Sequence, residues 1–395
     1  RVKAANRSLL KRIVGVRLFR IGFLPPGLYS TEILAEYNFP MLIAEFGNAL
    51  PKTEWIEGKF PRVRFGDAWA RHLPGTLQAL LLIFVTTLRL LWLSLKTGKP
   101  ALLVSHGIFE AAIVYTLSTI LRVPYFCHIH EAYDRSEMRR FNIYWWLLCF
   151  EGRILRNAEH LIFPEAGRAR IYQERYHLNP KKMSLVYNCP RRRSDQRGVD
   201  LRERYGIPKD GILMNYIGGI GAQNALLEGI KAVSHFEKLY FLIWGWSDTK
   251  TMTLLKDTAF QLGIPERVKF LGELKKDKWE VIAGCDLSYC IYAPCDLRGR
   301  NVATASNKLM EAVACGIPVI TSNHPDFKDL VEPHKLGVCT DISVEGITAA
   351  LKKLLSDPQL RSDISESQRQ WHEKSFNYEH QFAPLIQKFH DVTNA

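Results

Sequence analysis

The chain has 395 residues, too long for one ordinary core and suited to two domains of roughly 150–200 residues each. Apolar residues make up 47 %, aromatics 11 % and charged residues 24 %, which excludes collagen-like, low-complexity and disordered classes. The formal charge of +13 is lopsided: residues 1–190 carry 26 Lys and Arg against 14 Asp and Glu, a net of +12, which leaves +1 for residues 191–395. A basic first half points to an anionic partner, and each base near an anionic membrane contributes about 1 kcal/mol. The alternative, nucleic acid, lacks a basic-aromatic module to support it. The eight cysteines lie singly, with no C-x-x-C pair or zinc-type grouping with histidine, which favours reduced thiols in the cytoplasm.

In chain order, Arg1, Lys3, Arg7, Lys11, Arg12, Arg17 and Arg20 all precede the first acid, Glu32. The chain does not start with Met, so its N-terminus is expected to be processed, trimmed or incompletely covered. Leu77 to Leu95 is the most hydrophobic stretch. It reads first as a buried domain helix, with an interfacial helix as the alternative and a membrane span third, because Gln78, Thr86, Thr87 and Arg89 interrupt it. Strand and helix then alternate: strand 101–105, helix 109–121, strand 124–130, a helix ending near Arg156, strand 159–163, helix 164–176 and strand 183–187. Periodicity stops around Asn188-Cys189-Pro190 and restarts after Gly211, the mark of an interdomain linker. The second half predicts strands at 212–217, 239–244, 268–271, 287–291, 319–321 and 337–339. Helices are expected near 222–235, 249–261, 276–283, 307–314, 343–355 and 358–372. Two tandem doubly wound parallel-sheet domains follow, 1–190 and 191–374, with a last helix at 375–395 returning to the first. Their ligand site is expected at the carboxyl ends of the strands, in a cleft between lobes.

The most informative segment runs from Ala305 to Ile320. Ser306 or Asn307 is a good helix cap, Leu309 to Ala314 make a short helix, and Gly316 and Pro318 stop it before an apolar strand. Free backbone N–H groups and the positive dipole end suit a phosphate there, and Lys308 adds a full charge. Glu311, one turn on, has the reach to accept from two vicinal hydroxyls such as those of a ribose. Arg298 and Arg300 in the preceding loop are further possible phosphate contacts. No D-x-D-type triplet lies near the segment, so no metal is expected.

The run N-K-L-M-E-A-V-A-C-G-I-P-V-I resembles the signature of retaining glycosyltransferases of the GT-B fold, glycosyltransferase family 4, in the branch reading S-P-N-K-L-x-E. Other segments resemble the family in the same order: Arg1 to Leu9 its first helix, Val104-Ser105-His106-Gly107 a strand end, and His128-Ile129-His130-Glu131-Ala132-Tyr133 its D-x-H-E-x-Y. Val186 to Pro190 resembles the domain junction, and Tyr216 to Gly221 the Gly-rich turn. The resemblance implies a GT-B fold of two Rossmann-like domains and transfer from a UDP- or GDP-sugar to a lipid-linked or glycan acceptor. It places donor contacts at Gly218, Gly219, Gly221, Ser306, Asn307, Lys308 and Glu311, with catalytic roles for His130, Glu131 and Lys308.

Two departures stand out. The family's E-x7-E motif has its first glutamate where this chain has Ala303, and its Gly-rich turn carries a basic pair where Gly219 to Ala225 has no base. A catalytically impaired sugar-nucleotide-binding or partner subunit is therefore the alternative. The family's opening strand is expected to precede the point where this chain starts. The implied setting is cytoplasmic, peripheral at the inner membrane face, with an anionic membrane surface as partner and cell-surface polysaccharide or glycoconjugate synthesis as the pathway.

Overall fold

The computed structural model describes residues 12–17, 25–47, 53–56, 60–66, 75–193, 198–274 and 276–394. The chain forms two compact units, the first made of Arg1–Tyr187 with Tyr378–Ala395 and the second of Asn188–Asn377. The boundary thus falls three residues before the expected one, at the edge of Asn188-Cys189-Pro190, and the return lies at Tyr378.

The first unit contains β1 (Ile13–Arg17), α1 (Pro25–Glu36), β2 (Met41–Gly47), β3 (Thr53–Ile56), β4 (Phe60–Gly66), α2 (Gly75–Thr97), β5 (Leu102–Ser105) and α3 (Ile108–Leu121). It continues with β6 (Tyr125–His128), α4 (Ile143–Asn157), β7 (His160–Phe163), α5 (Ala166–Tyr176) and β8 (Met183–Leu185). The strands form one sheet in the order β3-β4-β2-β1-β5-β6-β7-β8, parallel except for β3 against β4. The opening strand is therefore present, contrary to expectation: Ile13–Arg17 is central in the sheet, pairing β2 on one side and β5 on the other. Ile13, Val14, Gly15 and Val16 are buried in succession, as in a strand covered on both faces, and flanking bases at Arg12 and Arg17 obscure this run in a hydropathy window. The helix expected over Arg1 to Leu9 lies outside the described residues.

The reading of the Leu77–Leu95 stretch as a buried helix is also corrected. Only Thr86, Thr87, Leu90 and Ser94 of α2 are buried. Thr87 and Ser94 donate back to the carbonyls of Ile83 and Leu90 at 2.8 Å each, so the helix packs inward with small, self-satisfied hydroxyl residues. Leu77, Leu80, Phe84, Leu88, Trp92 and Leu95 face outward within about 120° of the helix circumference, with Trp92 58 % and Leu95 74 % exposed. Among the described residues α2 alone is long and apolar enough to cross a membrane.

The second unit contains α6 (Leu201–Tyr205), β9 (Ile212–Ile217), α7 (Leu226–Val233), β10 (Leu239–Trp244), α8 (Thr249–Gln261), β11 (Val268–Phe270), α9 (Lys278–Ala283), β12 (Leu287–Cys290) and α10 (Leu297–Arg300). After these come α11 (Asn307–Cys315), β13 (Val319–Ser322), α12 (Pro325–Val331), β14 (Gly337–Thr340), α13 (Val344–Ser356) and α14 (Pro358–Lys374). Its six strands are parallel in the order β11-β10-β9-β12-β13-β14, so the order reverses between β9 and β12. In open α/β sheets that reversal is where ligands collect.

The last helix, α15 (Tyr378–Asn394), crosses back to the first unit and joins its core through Tyr378, Phe382, Leu385, Ile386 and Phe389, against Phe39 and Phe126. Phe382 is fully buried. Phe382→Ala is expected to destabilise the first unit by about 3–5 kcal/mol, read as a lowered urea midpoint.

Candidate functional site

At the start of α11, Ser306 is the cap: its Oγ accepts from Leu309 N–H at 3.2 Å and lies 2.8 Å from the Tyr292 hydroxyl. Gly316 ends the helix in the left-handed region at φ 68°. The first-turn N–H groups without intrahelical partners, with Asn307 and Lys308 half-buried beside them, form the positive end of the helix.

Lys308 is held between two tyrosines. Its ammonium lies 4.4 Å from the Tyr216 ring centroid, 4.2 Å from that of Tyr292 and 3.4 Å from the Tyr216 hydroxyl. The ring faces attract the cation. Burial nevertheless pulls its pKa down to about 8, against the opposing influence of Glu311. Glu311 is itself buried, and its Oε1 accepts from the Lys278 ammonium of α9 at 2.6 Å. Burial raises the Glu311 carboxyl pKa while Lys278 holds it down. A carboxylate has about four acceptor positions, so the Lys278 bond leaves capacity for hydroxyl donors.

The Gly-rich turn sits beside this pair. Gly218 has φ 154°, and a Cβ there would lie 3.5 Å from the Lys308 stem. A Cβ on Gly245, at the end of β10, would come within 1.9 Å of the Gly218 carbonyl, so both positions require glycine. The other two glycines are different in kind. Gly219 faces open space, and Gly221 has extended backbone at φ −159°, capping the short turn 222–224.

Asn215 and Ser288 line a small cavity together with Lys308 and Glu311. Asn215 Oδ1 accepts from Ser288 Oγ at 3.0 Å, and its buried Nδ2 has no hydrogen-bond partner. Asp326 reaches the loop at the position lacking the first glutamate. Its Oδ2 accepts from the N–H groups of Val302 and Ala303 at 2.9 and 3.0 Å, while its Oδ1 is buried without a partner. Tyr292, Lys278, Asn215 and Asp326 escape the sequence reading. Lys278 is 33 residues from Glu311, and only the strand order brings such pairs together. Arg298 pairs with Asp296 through Nε and Nη2 at 2.9 and 2.6 Å, and Arg300 is exposed on the same short helix.

In the first unit His130 is buried and Glu131 exposed. His130 Nε2 lies 3.4 Å from His106 Nδ1, its ring centroid is 3.9 Å from that of His128, and its carbonyl accepts from Arg168 at 2.6 Å. Burial, reinforced by neighbouring rings and guanidiniums, keeps His106 and His130 well below the ordinary imidazole pKa, and burial alone takes His128 to about 3. All three are neutral imidazoles near pH 7.

Two family models match the chain: "Glycosyl transferase 4-like domain" over residues 46–189 and "Glycosyl transferases group 1" over residues 200–371. Curated relatives include a GDP-mannose-dependent alpha-(1-6)-phosphatidylinositol monomannoside mannosyltransferase of Mycolicibacterium smegmatis, 28 % identical over 120 residues, and its Mycobacterium tuberculosis counterpart, 29 % identical. The match covers 30 % of this chain and 31 % of each relative's length. Among solved structures, sucrose-phosphate synthase from Thermosynechococcus elongatus aligns with a TM-score of 0.76 at 15 % identity, over 97 % of this chain and 99 % of the other. Anabaena HepE in complex with UDP and glucose aligns with a TM-score of 0.72 at 16 % identity, over the same shares. At these identities the structural likeness concerns the fold, which is GT-B.

Lys278→Ala would leave Glu311 buried without its cation. Because the Lys278 side chain is 35 % exposed, the expected cost is about 1–3 kcal/mol. Adding Glu311→Gln to the variant should recover part of it in thermal melts.

Proposed function

Since the chain belongs to the group 1, family 4-like glycosyltransferases of GT-B fold, we propose that it is a retaining hexosyltransferase that takes a nucleotide sugar on its second unit and glycosylates a lipid-linked or glycan acceptor. The observation that carries this reading is the capped start of α11, with Lys308 between two tyrosine rings and buried Glu311 one turn on. In the proposal, Lys308, the first-turn N–H groups and the backbone at Gly218 receive the diphosphate, and Glu311 accepts from the ribose hydroxyls. These fixed donors stabilise charge as the nucleoside diphosphate leaves, so the reading needs no metal at the diphosphate. His130 and Glu131 are assigned to the sugar and acceptor side.

Asp326 supports an active enzyme over an impaired subunit. Its carboxylate, with one buried oxygen unpartnered, stands next to Ala303 and is proposed to serve where the family's first glutamate is missing. The GDP-mannose-dependent relatives and the complex of Anabaena HepE with UDP-glucose suggest two donor classes to try, GDP-mannose and UDP-glucose.

The acceptor side is proposed to work peripherally at the cytoplasmic face of an anionic membrane, in cell-surface polysaccharide or glycoconjugate synthesis. The support is the +12 of residues 1–190, the outward apolar stripe of α2, and Phe141, Trp146 and Phe150 exposed at and along α4, which contacts α2. Amphipathic helices with outward aromatics lie in the headgroup region, and basic residues add attraction to anionic lipid.

Four measurements test the proposal. Glu311→Ala should weaken nucleotide-sugar binding at least about tenfold in calorimetry, which corresponds to about 1.4 kcal/mol; unchanged affinity would remove Glu311 from the site. Lys308 carries its proton below about pH 8, so donor affinity should fall as pH rises through that value, and Lys308→Met should flatten the profile. Affinity measured without Mg²⁺ and with excess chelator should match that with Mg²⁺. Liposome flotation should show binding to vesicles containing anionic lipid that weakens at high salt; binding indifferent to lipid charge would overturn the membrane reading.

A further inference from the structure

The first unit holds a cavity of about 140 Å³ beside the carboxyl ends of β5 and β6, walled by the start of α3, the loop after β6 and part of α4. A water-sized group takes about 10–15 Å³ of such space, so the cavity has room for on the order of ten, the bulk of one sugar unit. Its walls carry three carboxyl groups, Glu110, Glu131 and Glu151, and one permanent cation, Arg17, so the positive charge of residues 1–190 is not gathered there. His106 and His130 also line it, and burial keeps both rings neutral.

The groups that could draw an anion into this space are already engaged by the chain itself. The positive end of α3 carries the buried carboxylate of Glu110 in its own first turn, close enough that a Cβ on Gly107 would meet Glu110 Oε2 at 2.6 Å. Arg17 Nη1 lies 3.3 Å from Glu110 Oε1 and also donates to the His106 carbonyl. Glu151 accepts from the Tyr172 hydroxyl at 3.2 Å through Oε1 and from the Tyr176 hydroxyl at 2.6 Å through Oε2. A phosphate entering here would set its charge against these carboxylates, and among the described lining residues the one guanidinium is already paired.

A hydroxyl suits the same walls. His130 Nε2 is 3.4 Å from His106 Nδ1, and its Nδ1 is buried with no hydrogen-bond partner. Whichever tautomer that ring-to-ring bond selects, a hydroxyl can complete Nδ1, because it both donates and accepts. The carboxylates can accept from further hydroxyls, and the rings of Phe109 and Tyr144, edge to face at 4.7 Å, offer an apolar wall to the C–H face of a sugar. We propose that this cavity seats the terminal sugar of the acceptor, and that Glu110, by engaging both Arg17 and the start of α3, restricts it to uncharged sugars and excludes acceptors that end in phosphate or carboxylate. The inference rests on the assignment of His130 and Glu131 to the acceptor side and narrows that acceptor to a chemical class.

The test sets ligands with one tail and different heads against the full chain: the better-bound of octyl glucoside and octyl mannoside, and octyl phosphate, each below its micelle concentration. Saturation-transfer NMR follows the glycoside, and octyl phosphate is read by its displacement of the glycoside, so that its binding elsewhere on a basic surface does not count. The glycoside is expected to bind at least about tenfold more tightly than the phosphate. Glu110→Gln keeps the side chain's shape and removes its charge, releasing Arg17 and the α3 start, so octyl phosphate affinity should rise at least about tenfold while glycoside affinity falls. Glu174→Gln, exposed on α5, removes the same charge away from the cavity and should change neither. Should Glu110→Gln fail to fold by circular dichroism, the wild-type preference and a rise in phosphate affinity in Glu131→Gln decide instead. Octyl phosphate matching the glycoside in the wild type, neither ligand binding, or a folded Glu110→Gln that still refuses phosphate would overturn the inference. Calorimetry with the nucleotide sugars on the same samples keeps the two readings apart: donor binding that survives such a result leaves the second unit's site standing, and a glycoside preference without donor binding does the reverse.

Discussion

A lysine kept charged while partly withdrawn from water is the constraint around which the second unit's candidate site is arranged. Lys308 loses hydration on packing, and the loss is large enough to bring its pKa to about 8. Two ring faces, a tyrosine hydroxyl and nearby Glu311 offset it, and each arrives from a different element. Tyr216 comes from β9, Tyr292 follows β12, and Glu311 follows one turn along α11. Glu311 in turn is buried and needs Lys278 from α9. The parallel register of β9 against β12, with Met214 opposite Leu287 and Asn215 opposite Ser288, is what lets these groups meet. A cation so held has a lowered cost of surrendering its rings to a better partner, and a diphosphate is the better partner by charge.

The same logic explains which glycines matter. Gly218 and Gly245 touch across two neighbouring strand ends; Gly245 has no space for a side chain, and Gly218 is held to glycine by its φ of 154°. Gly219 and Gly221 share the sequence pattern without sharing the constraint. A motif read as letters weights all of them alike, while the backbone separates them.

What was legible in the sequence follows the range of the interactions involved. The second unit's strands alternate cleanly with helices, and the strand Ile212–Ile217 and the helix Thr249–Gln261 have the expected bounds, because buried parallel strands and capped helices are local signals. The first 66 residues were mostly illegible. Ile13–Arg17 is a central strand only five residues long, flanked by bases, and β3 and β4 form an antiparallel edge addition that a βαβ reading has no place for. α2 misled for a different reason. Its mean apolarity suggested burial, but the buried side is the one with Thr86, Thr87 and Ser94, whose small size permits close packing on α3. In the site, the capped α11 start was legible because it is contiguous. The Lys278–Glu311 pair and the approach of Asp326 to Ala303 were not, since each joins residues far apart in the chain.

Ala303 shows how a missing letter differs from a missing group. The E-x7-E reading has no carboxylate there, and by sequence alone the absence argues for impairment. In the fold, α12 starts immediately after β13 and directs Asp326 onto the N–H groups of Val302 and Ala303. A carboxylate anchored by two backbone donors through one oxygen, with the other oxygen buried and unpartnered, carries a desolvation cost that folding alone does not require. A polar ligand that donates to that oxygen would relieve the cost on binding. The second unit thus stores unpaired capacity at Asn215 Nδ2 and Asp326 Oδ1, and the first unit at His128 Nε2 and His130 Nδ1. The chemistry differs between them. In the second unit a donor at Asn215 and an anionic acceptor at Asp326 suit a ligand that carries both acceptor oxygens and hydroxyl donors, and in the first the unpaired atoms are imidazole nitrogens.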